Sequence, residues 1–418
     1  MVQHKPRIAI LGGGVRGTAI AALLAHSQLY EVVLVERESI GAGTSSTNHG
    51  RIHCGAGLWK KNVPSLAYRH RIGGELIRQL SADIARQSKA LYLVHSPTDA
   101  ENFEQACRHY EINYQHTHAS SIFIDTSPFV AAFEIPEYTF RPARLAGQLA
   151  LYAREAGAEI AIHTGVSAIE TGTQRQFMLH LASGEQLGAD IVINTLGIWA
   201  NHVASHLPLP RAAFHWRRWR ILCLDASEGD YPSHELRVIT VVETEDILPS
   251  LVPHFPWMLF GCRVEPETLS DIDERYSGAW QMFDQNHPMD RTLLVVHANY
   301  FRPLQHLNEQ QLRRRLYTFA GVYPAFAGMY PHYQVQADTN FHLLQSSSVP
   351  DYYVVYGENA TTCLIDAVDV VHEIMLHANR EVSYQHILGF IPQIGSKLNR
   401  GVYDTTAAMV WESSAICP

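Results

Sequence analysis

Three glycines and one acid are the first residues whose types and spacing suggest chemistry. Gly12, Gly14 and Gly17 belong to Gly12-Gly13-Gly14-Val15-Arg16-Gly17, set between an apolar run, Arg7 to Leu11, and an Ala- and Leu-rich stretch, Thr18 to Ala25. The run suits a buried parallel strand and the stretch a helix. A second apolar run, Val32 to Val35, ends at Glu36, about 20 residues beyond Gly17. In such a unit Gly12 permits a tight turn, Gly14 lets backbone approach a pyrophosphate, and Gly17 lets helix and strand pack closely. The helix N-terminus then faces the anion with free N–H groups, and Val15 and Arg16, in the glycine turn, join the residues expected to bind the cofactor. Glu36 can accept both hydroxyls of an adenosine ribose and would repel a 2′-phosphate. That argues against NADP and leaves NAD and FAD open; a purely structural glycine turn is the alternative.

The stretch from Glu36 to Gly55 reads E-R-E-S-I-G-A-G-T-S-S-T-N-H-G-R-I-H-C-G. Its middle, Gly41 to Asn48, is small, polar and turn-prone, able to present donors to a phosphate or a ring edge, or to form an ordinary surface loop. The stretch resembles the D-amino acid oxidase superfamily of flavoproteins, in particular its L-2-hydroxyglutarate dehydrogenase and glycerol-3-phosphate dehydrogenase branches. These carry a similar acid–Arg pair (Glu36 and Arg37 here), then G-x-x-S, then I-H-x-G. Pro64-Ser65-Leu66-Ala67 is similar to the hydroxyglutarate branch.

Three later segments resemble the same superfamily in the same order. Ala156 to Ser167 has the form Gly-Ala, strand, turn, Val, and the resemblance implies that the Val166 backbone meets the adenine. Ala189 to Ala200 is a strand running into a glycine turn, with Thr195, Gly197 and Trp199 beside the cofactor. Tyr352 to Thr362 resembles the closing flavin motif, with Gly357, Glu358, Asn359, Ala360, Thr361 and Thr362 at a helix start. A helix N-terminus there would stabilise negative charge on a reduced flavin. The resemblance thus implies FAD, held also by Thr44, Ser45, Ser46, Asn48, His49 and Gly50.

A flavin of this kind takes a hydride from a carbon bearing a hydroxyl or an amine, and the protein accepts the O–H or N–H proton. His53, in I-H-C-G, is the first candidate: a base or polarising group, a covalent tether for the flavin, or a structural residue that orients the loop. Arg51 is a second candidate, for reduced flavin or an acid, against pairing with phosphate or solvent. Arg302, in Asn299-Tyr300-Phe301-Arg302-Pro303, could hold a carboxylate bidentately, or form a surface ion pair. The run Trp216-Arg217-Arg218-Trp219-Arg220 reads better as cation–π packing than as a pocket. Two departures from the family bear on substrate. The arginine that follows I-H-G-G in glycerol-3-phosphate dehydrogenases is absent from Ala56 to Lys61, which puts glycerol 3-phosphate in doubt. Tyr330 to Gln334 lacks the arginine with which relatives often bind a carboxylate, which weighs against a simple amino or hydroxy acid and suits a less charged amine or alcohol. The expected activity is an FAD-dependent oxidase or dehydrogenase on a C–OH or C–N carbon, leaning to a 2-hydroxy acid. An amine or amino acid oxidase is the alternative within the superfamily. An NAD-dependent dehydrogenase or a non-catalytic FAD-binding protein is the alternative outside it. Oxygen or another carrier would take the electrons.

The elements that must position these residues follow. The expected fold is α/β: a discontinuous Rossmann-like FAD-binding domain (1–90, 141–212 and 335–385), a second α+β substrate domain with an antiparallel sheet (91–140 and 213–334), and a C-terminal tail (386–418) of no clear role. Helices are expected over 64–90 and 144–156. Strands are expected at Ser121 to Ile124, Arg220 to Leu224, Val238 to Val242, Trp257 to Phe260 and Thr292 to His297. Of 418 residues 46% are hydrophobic, which excludes disorder as the main state. With 32 Lys+Arg against 41 Asp+Glu, the balance of −9 makes nucleic acid an unexpected partner. Six cysteines without a C-x-x-C pair read as reduced thiols. No apolar run has the roughly 20 residues of a membrane span, and no signal-like segment precedes the first strand, so a cytoplasmic protein is expected. The pair His116 and His118 lacks the further ligands a metal needs, and no metal is expected.

Overall fold

A computed structural model describes residues 5–398, except 61–62, 81–88, 210–213, 228–230, 232–235, 243–248, 255, 262–266, 270–278, 327–340, 347–348, 358, 379 and 381. Its chain folds as α/β around two sheets. The first has the order Phe341–Ser346, Val349–Gly357, Ile191–Asn194, Arg7–Leu11, Glu31–Val35, Glu159–Ala161. All neighbours are parallel except the antiparallel pair at the Phe341 edge. Strand alternation divides the apolar side chains between two cores. Ile8, Ile10, Val32, Leu34, Ile193, Tyr353 and Val355 pack with helices Val15–Ser27, Pro142–Glu155 and Cys363–His377. Ala9, Leu11, Val192, Tyr352, Val354 and Tyr356 pack on the other face with Ile169, Phe177 and Leu179 of a smaller, mostly antiparallel sheet. A parallel sheet covered on both faces explains why its strands read as unbroken apolar runs.

The second large sheet runs Ala279–Met282, Leu316–Phe326, Phe214–Asp225, Trp257–Gly261, Ser250–His254, Ile239–Val242, Ala90–Val94, Ala131–Ile135, Gln115–His116. It is antiparallel throughout that order save for Ile239–Val242 beside Ala90–Val94. One face buries Tyr92, Cys223, Val252 and Phe319 against Phe103 and Cys107 of helix Pro97–His109. The other buries Leu91, Leu222, Val241 and Phe260 against Leu293, Phe301 and Leu304. A two-stranded ribbon, Arg51–Ile52 with Tyr138–Thr139, links the loop after Glu36 to the segment that follows Ala131–Ile135.

Some expectations change here. Thr292 to His297 is helix, within Pro288–Ala298, and not strand. A short apolar run cannot distinguish the two by periodicity. Pro288 opens the first turn, and Leu293 and His297 are buried four residues apart while Val295 is 57% exposed. Ser121 to Ile124 forms only an isolated bridge, Ile124 to Phe301. The expected long helix is described as Pro64–Leu80, and the other as Pro142–Glu155. The tail expected from 386 packs on the body: helices Tyr384–Leu388 and Phe390–Leu398 bury Ile387, Ile391, Ile394 and Leu398 in the core of the first helix. Cys54, Cys107, Cys223 and Cys363 are buried free thiols; Cys262 and Cys417 lie outside the described residues. Among the described residues no helix is long and apolar enough to cross a membrane, and no cluster of His, Cys, Asp and Glu could hold a metal.

Candidate functional site

The carboxyl ends of strands Arg7–Leu11, Glu31–Val35 and Val349–Gly357 open on a cavity of about 420 Å³. Ligands of open α/β sheets bind at this edge. Its lining includes Gly12, Gly14, Val15, Arg16, Glu36, Arg37, Thr44, Ser45, Asn48, Val166, Thr195, Gly197, Trp199, Gly357 and Ala360. Segments far apart in sequence thus meet on one surface.

The turn before the first helix is built for close approach. Gly12 has φ +103°, and a Cβ there would stand 2.8 Å from the Thr195 carbonyl oxygen. A Cβ on Gly17 would stand 2.0 Å from the Gly12 carbonyl oxygen, so helix and strand meet as backbone on backbone. Glu36 is drawn over the turn: one carboxylate oxygen accepts from Gly13 N at 2.6 Å, the other from Glu38 N at 2.8 Å. Burial pushes its carboxyl above the usual range. A carboxylate has about four acceptor sites, so two remain for hydroxyls. Ser45 Oγ accepts from Val15 N at 3.0 Å and fastens the polar loop to the helix start. Arg37 lies over the Trp199 ring, 4.9 Å from its centroid. The Trp199 indole nitrogen is buried without a partner among the described residues. A glycine cradle, a buried acid with acceptor sites to spare and an indole N–H without an acceptor together fit the adenosine and pyrophosphate of a dinucleotide.

At the Gly357 end, Thr361 joins the closing motif to the loop. Its hydroxyl accepts from His53 N at 3.1 Å and donates to the Arg51 carbonyl at 3.2 Å. The Asn359 side chain caps the following turn by accepting from Thr361 N at 2.8 Å. Thr362 Oγ1 donates to Asp366 at 2.8 Å. Ser46, His49, Gly50 and His53 lie in or beside the same loop without lining this cavity, Ser46 bordering a smaller one instead, and Glu358 falls outside the described residues.

Around His53 the structure gathers imidazoles from three elements. His49 stands edge-on at 5.4 Å between centroids and His70, from helix Pro64–Leu80, stacks at 5.7 Å. His254, at the end of strand Ser250–His254, places Nε2 2.8 Å from the His49 carbonyl oxygen. All four are held neutral. Burial lowers His49 to about 3, with Arg51 and His254 adding to it. Burial, then Arg51, His49 and His70, depress His53 well below its ordinary value. Burial brings His70 and His254 each to about 4. A second cavity, of about 60 Å³, is lined by His254, Arg141, Phe140, Trp257, Leu259 and Phe319 and shares Ser45 and Asn48 with the first.

Arg51 and Arg302 stand apart from both cavities. The Arg51 guanidinium is buried and committed to Glu137: Nε donates to Oε2 at 2.8 Å, and Nη2 pairs with Oε2 and reaches the Tyr92 hydroxyl at 2.5 Å. Glu137 is fully buried and also accepts from Tyr92 Oη at 2.8 Å and Cys54 N at 3.0 Å. Arg302 is exposed at the start of a one-turn helix and lines neither cavity. In the Trp216–Arg220 run, Trp216 Nε1 donates to the Ile198 carbonyl and Arg220 pairs with buried Asp290 at 3.2 Å, which is packing. The segment 330–334 lies outside the described residues. Sequence reasoning passed over His254, His70 and Glu137. A single His closing the run Ser-Leu-Val-Pro-His, or inside a helix, carries no local signal.

Comparison with known proteins agrees with this geometry. The profile of the family described as DAO, FAD dependent oxidoreductase, matches residues 7–362. Among curated proteins, one component of the anaerobic glycerol-3-phosphate dehydrogenase of Escherichia coli (strain K12) is 29% identical over 215 residues, 48% of this chain and 39% of that protein. The match thus spans about two fifths of that relative. Among solved structures, glycine oxidase from Geobacillus kaustophilus has a TM-score of 0.62 at 18% identity, covering 91% of this chain and 96% of that one. L-alpha-glycerophosphate oxidase from Mycoplasma pneumoniae, with FAD bound, has a TM-score of 0.64 at 18% identity, covering 88% and 94%. At these identities the structural likenesses carry the fold.

Proposed function

Because the chain belongs to the DAO family of FAD-dependent oxidoreductases, we propose that it oxidises a C–OH or C–N carbon of a small molecule, with 2-hydroxy acids the favoured class. Bound FAD supplies the two-electron acceptor for the hydride. In this reading the Gly12–Gly17 turn takes the pyrophosphate, Glu36 the ribose hydroxyls, Val166 the adenine, and the turn before Cys363 the flavin's pyrimidine edge. Thr44, Ser45, Asn48, Thr195 and Gly197 close the cradle around it.

The observation that carries the proposal is the meeting of His53, His49 and His254 where the cofactor loop touches the large sheet. A neutral imidazole can accept the proton that leaves the substrate hydroxyl or amine. Burial keeps these imidazoles neutral and also weakens them as bases, and the Thr361 hydroxyl fixes the His53 backbone. Glu137 secures the loop from behind by holding Arg51 and the Cys54 N–H. The smaller cavity gives a short carbon chain apolar walls, with Arg141 as the cation for a carboxylate in place of the family position that lacks one.

The test is anaerobic bleaching of the flavin with a panel of 2-hydroxy acids, amino acids and amines. Bleaching by hydroxy acids alone supports the favoured class. Bleaching by amines or amino acids alone assigns the C–N alternative, and no bleaching with any of them points to a non-catalytic flavoprotein. His53→Ala should keep the protein yellow and slow flavin reduction by roughly 10²-fold, the usual worth of a positioned base. Unchanged reduction kinetics would remove His53 from the reaction. Flavin fully released on acid precipitation would rule out a covalent tether.

A further inference from the structure

Arg16 is the second residue of helix Val15–Ser27 and borders the large cavity, its side chain only 14% exposed. Its Nε donates to Asp366 Oδ2 at 2.7 Å, and its Nη2 donates to the Asn359 carbonyl at 2.6 Å and to Thr362 Oγ1 at 3.3 Å. Its Nη1 donates to no described residue. The guanidinium also fills the place where residue 357 would carry a side chain: a Cβ on Gly357 would stand 2.1 Å from Nη2. The closing motif therefore needs glycine at 357 to admit Arg16.

The anchor behind Arg16 is shared. Asp366 is fully buried, and its Oδ1 accepts from Arg69 Nη2 at 2.6 Å. Arg69 Nη1 donates in turn to Asp369 at 2.8 Å, whose other oxygen accepts from the Tyr384 hydroxyl at 2.7 Å. One carboxylate thus serves two guanidiniums, and the cation nearer the cavity keeps an uncommitted nitrogen. Taking a cation out of water costs several kcal/mol unless its donors are met. A structural ion pair would not need to border the cavity or keep a donor in reserve. Arginine also stays charged at any working pH, and its planar fork suits carbonyl and anionic edges.

We propose that Arg16 is the cation that holds the electron-accepting end of bound FAD, with Asp366 as its positioning residue. The end is assigned by contact: Arg16 bonds the 359–362 turn, whereas no hydrogen bond joins it to Glu36, Arg37 or Val166 among the described residues. Reduction leaves the flavin's pyrimidine side electron-rich, and a fixed guanidinium beside it favours the reduced state. The start of helix Cys363–His377 acts in the same sense. The inference rests on the reading that FAD occupies this cavity.

The experiment measures the two-electron midpoint potential of the FAD-loaded full chain, by equilibration with reference dyes, for the wild type, R16M, R16K and D366N. R16M should lower the equilibrium constant for reduction about tenfold, which is about 30 mV for a two-electron couple. R16K should recover part of that loss. D366N removes the compensating carboxylate and should move the potential in the opposite direction, whereas a purely structural role would not produce opposite signs. R16M with wild-type potential overturns the proposal. So does a loss of FAD affinity at unchanged potential, which would assign Arg16 to the pyrophosphate. Should R16M fail to fold, R16Q takes its place: a lowered potential supports the assignment, and an unchanged or raised one ends it. A wild-type protein that holds no FAD would defeat the cofactor reading itself, a separate outcome.

Discussion

Lowering the pH should weaken this fold through His70. The residue is 6% exposed, its ring stacks on that of His53, and it feels the Glu137 and Arg69 charges. Burial is the main cause of its descent to about 4, with Arg69 adding to it and Glu137 opposing. In the unfolded chain the same group titrates near its ordinary 6.5. The unfolded state therefore binds more protons than the fold throughout the window from 6.5 down to 4. The stability that a neutral His70 permits is complete above that window and is lost as pH falls through it. At pH 5 the unfolded imidazole is almost fully charged and the folded one mostly neutral, a difference of about 2 kcal/mol from this one residue. Against a typical total of about 5–15 kcal/mol, that is measurable. Urea unfolding of the wild type and His70→Gln at pH 7 and pH 5 gives the comparison. The wild type should lose about 2 kcal/mol more than the variant over this interval. Equal losses would refute the reasoning, since His70 would then titrate alike in both states.

Other outcomes follow from the same geometry. Glu137→Ala leaves the Arg51 cation buried without its carboxylate and should cost about 3–5 kcal/mol in urea unfolding. Replacing the pair together, Arg51→Met with Glu137→Leu, should cost clearly less. Gly17→Ala drives a Cβ to 2.0 Å from the Gly12 carbonyl oxygen, so the purified protein should be colourless, read as the ratio of visible to protein absorbance. Arg302→Ala should leave the rate of flavin reduction within about twofold of wild type, as for a surface change worth about half a kcal/mol or less. A larger loss would bring Arg302 back to the substrate.

The cofactor half was legible in the sequence because its signals are local. Gly12, Gly14 and Gly17 act through backbone within one turn, and the second strand ends at Glu36 in register with it. The parallel strands were legible as apolar runs because both their faces are covered. The histidine cluster of the candidate site depends on long-range packing, which leaves little local trace. His254 reaches His49 from a strand about 200 residues away along the chain. Glu137 captures Arg51 across the short ribbon, which turns an expected substrate cation into a core ion pair. Thr292 to His297 read as strand because apolar content outweighed Pro288 and the buried pair four residues apart.

Strand order in the parallel sheet also governs when a nascent chain could first hold its cofactor. Strand Arg7–Leu11 leaves the ribosome well before its neighbour Ile191–Asn194, and Val349–Gly357 joins only beyond that. Arg16 waits equally long for Asp366. A polypeptide halted before that last parallel strand would display a glycine turn and an acid without a far wall. Cofactor capture should therefore come late in synthesis, as a closing event and not as a seed for folding.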